Sequence, residues 1–476
     1  MEQGPLPTLW DLLKTALPPA RRALLRLVAR EAASMDMAAY LVGGFVRDLL
    51  LGRPSLDYDV VLEGWAPKLA RHLARTFGGR VQTHTRFGTA KWWLPSPDAP
   101  AWREALEGFL PLEPADYQDL PPFLDLVTAR RERYPHPGAL PETEPADIHA
   151  DLARRDFTIN AMAFALIGPQ AGRLLDPFHG LEDLRAKVLR ALHSQSFVED
   201  PTRMARGARY AARYGFRLSA DTARQIPPAL AVVPEVSGDR WRHELDHILD
   251  EDTAAQALDL LAQWGVLEAI HPALPLGEED RRRVALWEPP SSGWGLPDPW
   301  EGFPLARAVR YGLWFLEISE EGLRAVDARL HFPGKLRDLL KSAATLWATR
   351  DTWADLTPGP LTLHLEAHPL PAVYAVYLAL PDAALRERLA AFATRWRHIP
   401  APITGHDLKA LGLPPGPAYK DILRRARIEA IEGRLTTRED ALSWLRPHLP
   451  TTDDRRTTND ERHPFPNDQR PSTIDQ

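Results

Sequence analysis

The 476-residue chain contains no cysteine, and that single absence removes three kinds of chemistry. There can be no disulfide framework, no thiolate metal site and no thiol nucleophile. Long apolar runs are also missing, so no stretch reads as a membrane span, and the N-terminus lacks the pattern of a secretory signal. A cytoplasmic location is the simplest expectation. Nor is there an excess of basic residues: 58 Lys and Arg face 64 Asp and Glu, and a net charge of −6 argues against a nonspecific polyanion binder.

Positive charge is instead concentrated. Residues 185–224 hold nine Lys or Arg against three Asp or Glu, which focuses a basic surface on one stretch of chain. The length calls for more than one domain. Residues 9–35 read as a helical lead-in, strands and helices then alternate to about residue 168, and from residue 181 the pattern is almost wholly helical, broken by Pro/Gly/Trp-rich stretches such as 288–304. Residues 95–122 are polar and proline-punctuated between strand candidates and read as an insertion. The apolar-poor tail from residue 450 is expected to be disordered.

The densest information lies in residues 41–62. A short apolar run ends in Gly43-Gly44, where missing β-carbons let backbone N–H groups approach an anion. The next residues read as a short helix whose N-terminus points at that anion. Arg47 can reach a phosphate oxygen, and Asp48 can either fix Arg47 or contact a sugar. Asp57 and Asp59 follow at i, i+2 spacing in a segment, residues 56–62, that reads as a strand, so both carboxylates project from one face. Such a pair is tolerated when divalent cations lie between the charges, and hard oxygen ligands of this kind suit Mg²⁺ bridged to substrate phosphates. An isolated Asp-x-Asp is ordinarily a solvated strand end; behind Gly-Gly-x-x-Arg-Asp the metal reading takes precedence. Asp125, a lone acid in the strand-like residues 123–127, is a candidate third carboxylate.

Farther along, Arg154-Arg155-Asp156 opens a second block in which Asp156 can orient Arg155 and Asn160 lies one turn on. Glu199-Asp200-Pro201 is a helix start, after which Arg203, Arg206, Arg209 and Arg213 recur along one helical face.

These blocks, with residues 176–190 and the segment Asp239-Arg240-Trp241-Arg242-His243-Glu244, occur in the order found in the class II nucleotidyltransferases of the DNA polymerase β superfamily. The chain resembles that family over residues 38–250; it comprises tRNA CCA-adding enzymes and bacterial poly(A) polymerases. The resemblance implies an α/β catalytic head with a polymerase β-like nucleotidyltransferase sheet, followed by all-α neck, body and tail domains. Head, neck, body and tail are expected at 1–168, 169–250, 251–360 and 361–449, before the tail of 450–476. It implies Mg²⁺ as cofactor and addition of C and/or A to the 3′ end of tRNA from CTP and ATP, with release of pyrophosphate. Residue by residue, Asp57 and Asp59 hold metal beside Asp125, while Gly43, Gly44, Arg47 and Asp48 serve the triphosphate end. Arg155 and Asn160 meet ribose and phosphate. Asp200 and Arg203 act as a protein template for the base, since an acceptor-only carboxylate beside a donor-only guanidinium complements a cytosine or adenine edge. Glu199 positions them, and Arg206 and Arg209 contact the nucleotide. Arg240 and Glu244 are expected to pair as scaffold.

Residues 403–417 resemble the tail of CCA-adding enzymes rather than poly(A) polymerases, with His406 read as a turn residue. Residues 128–151 contain a loop whose presence in the family accompanies A addition. A partial A-adding or CC-adding enzyme, a poly(A) polymerase and a non-catalytic RNA-binding protein remain the rival readings.

Overall fold

Alternating short apolar runs and amphipathic helices build one mixed sheet. The computed structural model describes residues 8–53, 55–275 and 277–448; the tail expected to be disordered lies outside them. Up to residue 175 its strands are β1 (Ala38–Val42), β2 (Asp59–Glu63), β3 (Arg80–His84), β4 (Thr89–Trp93), β5 (Phe123–Thr128), β6 (Arg130–Arg133), β7 (Glu142–Pro145), β8 (Ala163–Ala165) and β9 (Leu174–Leu175). Seven of them form the sheet in the order β3-β4-β5-β2-β1-β8-β9, while β6 and β7 pair separately as a hairpin. Only β2 and β5 run parallel within the seven; the other neighbours are antiparallel.

The centre of the sheet is covered on both faces, which explains why Val60-Val61-Leu62 reads as an unbroken apolar run rather than an alternation. One side packs Val42, Val61, Ala129, Ile148, Leu152 and Ala163 into a core. The lead-in forms two helices, Leu9–Ala16 and Pro19–Ala33, the second buried along its apolar face. Residues 95–122 are ordered: helix Pro100–Glu107 buries Trp102 edge-on against Trp92 of β4, ring centroids 5.6 Å apart.

Beyond the sheet the first compact unit continues to Pro272 mainly as helices, with one short parallel strand pair, Val188–Leu189 beside Arg217–Leu218; the helices include Thr202–Tyr214, the arginine helix, and Gly238–Leu249, which packs against it. The second unit begins at Ala273 and is helical throughout its described residues. Helices Leu305–Trp314, Gly334–Thr349 and Leu370–Ala379 pack together there, and Ile403, Leu408, Ile422 and Leu445 form a separate core. His406 stands in the first turn of helix Gly405–Ala410, not in a turn outside a helix, and its neighbour Asp407 caps that helix through Thr404 and pairs with Arg438. No helix among the described residues is long and apolar enough to cross a membrane.

Candidate active site

Register brings the carboxylates together. Asp59 of β2 and Asp125 of β5 are direct Cα partners across the parallel pair, and Asp125 is flanked on its other side by its β4 partner Lys91, whose Nζ lies 3.4 Å from Oδ2. Asp57 lies just before the strand, which begins at Asp59; both aspartates are exposed and the Tyr58 between them is buried. Asp57 still acts on Asp59 through space. Solvent reaches Asp59, but protein surrounds it on most sides; that desolvation, then the charges of Asp125 and Asp57, push its pKa up to about 6 against the relief given by Arg155 and Lys91. Among the described residues no group of three or more His, Cys, Asp or Glu side chains is gathered tightly enough to hold an ion alone. A carboxylate pair that strains against its own charge, with oxygen donors too few to close a shell, fits a cation that completes its coordination on phosphate and water.

Arg155 connects this cluster to the glycine turn. Gly43 has φ +68° and ψ −133°, a conformation that side chains resist, and a β-carbon there would collide with Nη1 of Arg155. The N–H of Gly43 donates to Met162 O at 3.1 Å, so Gly44, not Gly43, lines the adjoining cavity.

That cavity, about 310 Å³, is lined by five arginines (Arg130, Arg154, Arg155, Arg203, Arg206) and three acids (Glu132, Asp156, Asp200), together with Asn160 and Tyr210. The balance favours an anion. Its arginines are held by a buried acid that the sequence reading passed over, Asp151. Asp151 accepts from Arg155 Nη2 at 2.9 Å and from Arg154 at 2.8 and 3.0 Å. Burial alone would raise its pKa, but Arg155 and Arg154 overcome that and keep the carboxyl below the usual range. Asp156, expected to orient Arg155, instead accepts from Asn160 Nδ2 at 2.9 Å and pairs with Arg206 of the arginine helix at 2.8 Å. Asn160 sits in a 3₁₀ turn, Thr158–Asn160, rather than a further turn of α-helix.

Arg47 does not reach the cavity. It is buried, forks onto Asp48 with two 2.9 Å bonds, donates to Asn160 Oδ1 at 2.6 Å and lies against the rings of Tyr210 and Tyr214. Tyr214 in turn donates to Asp48 at 2.8 Å, so Arg47 and Asp48 staple the glycine-turn helix to the arginine helix. Arg209 also points elsewhere, toward Glu251 at 3.8 Å.

Asp200 and Arg203 do converge on the cavity. Asp200 Oδ1 accepts from Thr202 and from Arg240 Nη2 at 2.7 Å; Arg240, expected to serve Glu244, also donates to Gly138 O in the β6–β7 loop. Arg203 is buried and donates to Ser196 Oγ at 2.6 Å and Arg154 O at 2.9 Å, with the hydroxyl of Tyr134 nearby.

The chain matches the family described as the Poly A polymerase head domain over residues 39–100 and 112–190. Residues 215–276 match a second family, a probable RNA and SrmB-binding site of polymerase A. An A-adding tRNA nucleotidyltransferase of Halalkalibacterium halodurans is 31% identical over 443 residues, covering 92% of this chain and 94% of that one. The chain belongs to the class II tRNA nucleotidyltransferase family. A CC-adding tRNA nucleotidyltransferase of Geobacter sulfurreducens is 30% identical over 456 residues, 90% of this chain and 95% of its own. The Thermotoga maritima CCA-adding enzyme, solved in complex with tRNA, shares the fold with a TM-score of 0.68 at 25% identity, over 93% of this chain and 99% of that one. As a class II tRNA nucleotidyltransferase, this enzyme departs from the head family at residues 101–111, which fall outside the match and coincide with the helix that carries Trp102.

Proposed function

We propose that this nucleotidyltransferase extends the 3′ end of tRNA in an Mg²⁺-dependent reaction, and that its additions include the terminal A. One observation carries the catalytic part: Asp59 and Asp125 are direct strand partners, and Arg155, which lines the arginine-rich cavity, is close enough for its charge to act on Asp59. Asp57 and Asp59, beside Asp125, would hold the metal, which supplies a Lewis acid for the attacking hydroxyl and the leaving phosphates.

The chain's own groups do the rest. Gly44, Arg155 and Asn160 line the cavity where the triphosphate and sugar of the incoming nucleotide would lie, with Arg206 at its wall. Asp200 and Arg203 present an acceptor and donors to the edge of the base. Arg47, Asp48 and Arg209 support from behind. The RNA 3′ oxygen forms a bond to the α-phosphorus as the bond to pyrophosphate breaks.

Addition of A is supported by the β6–β7 hairpin, whose tip bonds through Gly138 to Glu199 O and Arg240, and by the similarity to an A-adding relative along nearly its whole length. Addition of CC is the second reading, favoured by a CC-adding relative of nearly equal identity. The test uses tRNA lacking one, two or three 3′ nucleotides, each supplied with ATP or CTP alone, and sequences the product ends. One A on the RNA ending in CC supports the proposal; C additions alone select the second reading, and long A tracts on unrelated RNA select poly(A) synthesis.

A further inference from the structure

The segment that carries Asp57 has no strand ladder to hold it. Asp57 lies before β2, and its N–H donates to Ser55 Oγ at 3.0 Å, a bond local to the loop. A tie from farther away comes from Arg21, in the first turn of the lead-in helix Pro19–Ala33. Its Nη1 donates to Leu56 O at 2.5 Å and its Nε to Asp119 O at 2.6 Å. Leu56 is the residue before Asp57, and Asp119 closes the 3₁₀ segment Pro114–Asp119 shortly ahead of β5. One guanidinium therefore ties the approaches to both strands that deliver Asp59 and Asp125.

Tyr58 adds a third point of attachment. Buried between the two exposed aspartates, it sets its ring edge-on to Phe45 of the glycine-turn helix, centroids 5.4 Å apart, and its hydroxyl lies against the same Arg21 guanidinium. Arg21 borders a hollow of about 260 Å³ together with Asp57 and Asp125, yet its donors go to backbone carbonyls rather than to the carboxylates. It acts on them through the chain that presents them. The planar fork of an arginine serves several acceptors in one fixed geometry, which the single ammonium of a lysine on its flexible stem does not. The helix that supplies Arg21 precedes the residues matched by the head family, which begin at 39.

We propose that Arg21 is a positioning residue for nucleotidyl transfer, holding Asp57 and Asp59 at the spacing from Asp125 that the Mg²⁺ site requires. The proposal rests on the nucleotidyl-transfer reading and adds to it an anchor from outside the shared motifs. Charge and position make opposite demands here. Loss of a cation near the carboxylates would by charge alone tighten a divalent ion, whereas loss of the anchor loosens it, and a purely structural role would leave it unmoved. Binding of Mn²⁺ is followed by electron paramagnetic resonance in full-length wild type, Arg21→Gln and Arg21→Lys, with an α,β-methylene ATP that cannot be transferred. The Kd for Mn²⁺ should rise about 10- to 100-fold in Arg21→Gln, and Arg21→Lys, which keeps the charge, should recover at most part of the loss. In turnover the half-saturating Mg²⁺ should rise in step. Mn²⁺ binding that is unchanged or tighter in either variant overturns the proposal, and if Arg21→Gln fails to fold, Arg21→Lys alone decides. Weakened Mn²⁺ binding in the variants of a protein whose wild type transfers no nucleotide would overturn the functional reading and keep the anchor, whereas transfer by wild type with unmoved Mn²⁺ binding in the variants would do the reverse.

Discussion

Asp59 and Asp125 stand directly opposite each other on the only parallel strand pair of the seven-stranded sheet. Like charges held this way repel unless a cation intervenes, and burial together with the charges of Asp125 and Asp57 strains the Asp59 carboxylate. Asp59→Ala should abolish incorporation of every nucleotide, by at least about 1,000-fold, or about 4 kcal/mol of barrier, because an ion held there acts chiefly on the transition state. Binding of tRNA, followed by filter retention, should stay close to wild type. Normal turnover in the variant would refute the metal assignment.

The raised pKa of Asp59 has a signature in stability. The folded protein holds this proton up to about 6, whereas the ordinary value is 3.8, so the contribution to stability is present below about 4 and is lost as pH rises through 6. In metal-free buffer Asp59→Asn should therefore match wild type at the acid end and melt at a higher temperature above pH 6. Mg²⁺ should raise the wild-type Tm at neutral pH and leave the variant nearly unmoved. Calorimetry across that range checks both; a variant less stable than wild type at neutral pH would contradict the repulsion.

Arg203 combines two duties. Its guanidinium lines the cavity beside Asp200 and also donates to Ser196 and to Arg154 O. Arg203→Ala should narrow the preference among the four nucleotides by about 5- to 150-fold, the range of about 1–3 kcal/mol for one good base contact. It should also lower stability by about 1–3 kcal/mol through the orphaned partners. Ratios of kcat/KM for ATP, CTP, GTP and UTP separate these effects, and unchanged ratios would remove the base-reading role.

Asp151 is the buried anchor of the arginine cluster, bonded to Arg154, Arg155 and the N–H of Arg130. Taking one partner from a buried charge network costs about 3–5 kcal/mol. Asp151→Ala should lose stability of that order in urea denaturation, and where it folds it should raise the KM for nucleotide through the freed Arg155. An Asp151→Ala protein as stable as wild type would show that the cluster does not depend on this acid.

What the sequence discloses here is local. The apolar run into Gly43-Gly44, the sheet-then-helix order and the stripe of Arg203 and Arg206 are written in spacing, because a strand, a tight turn and a helix each follow from neighbours in the chain. The partners of buried charges are not written there. Arg47 carries the same motif position whether it meets a phosphate or, as the structure has it, Asp48 and Asn160, and 113 residues separate it from Asn160. Asp151 drew no reading, although the three-residue and four-residue steps that place Arg154 and Arg155 on its face were visible and could have flagged it. Arg240 reached across 40 residues to Asp200 instead of four to Glu244, which is itself largely buried among the charges of Arg206 and Arg209.

Gly43 and Gly44 separate conformational need from simple proximity. At Gly43 an added methyl meets both a left-handed backbone, φ +68°, and the guanidinium of Arg155, while at Gly44 the nearest atom is Arg47 Nη2 at 3.4 Å and the backbone is helical. Backbone strain of this sort costs about 1–3 kcal/mol, and displacement of Arg155 would fall on the cavity and on the partial neutralisation of Asp59 at once. Gly43→Ala should thus lower kcat/KM for nucleotide far more than Gly44→Ala, with the larger loss of Tm. Equal effects from the two alanines would mean that Arg155 tolerates displacement, and its place as the link between the carboxylates and the arginine-lined cavity would fall.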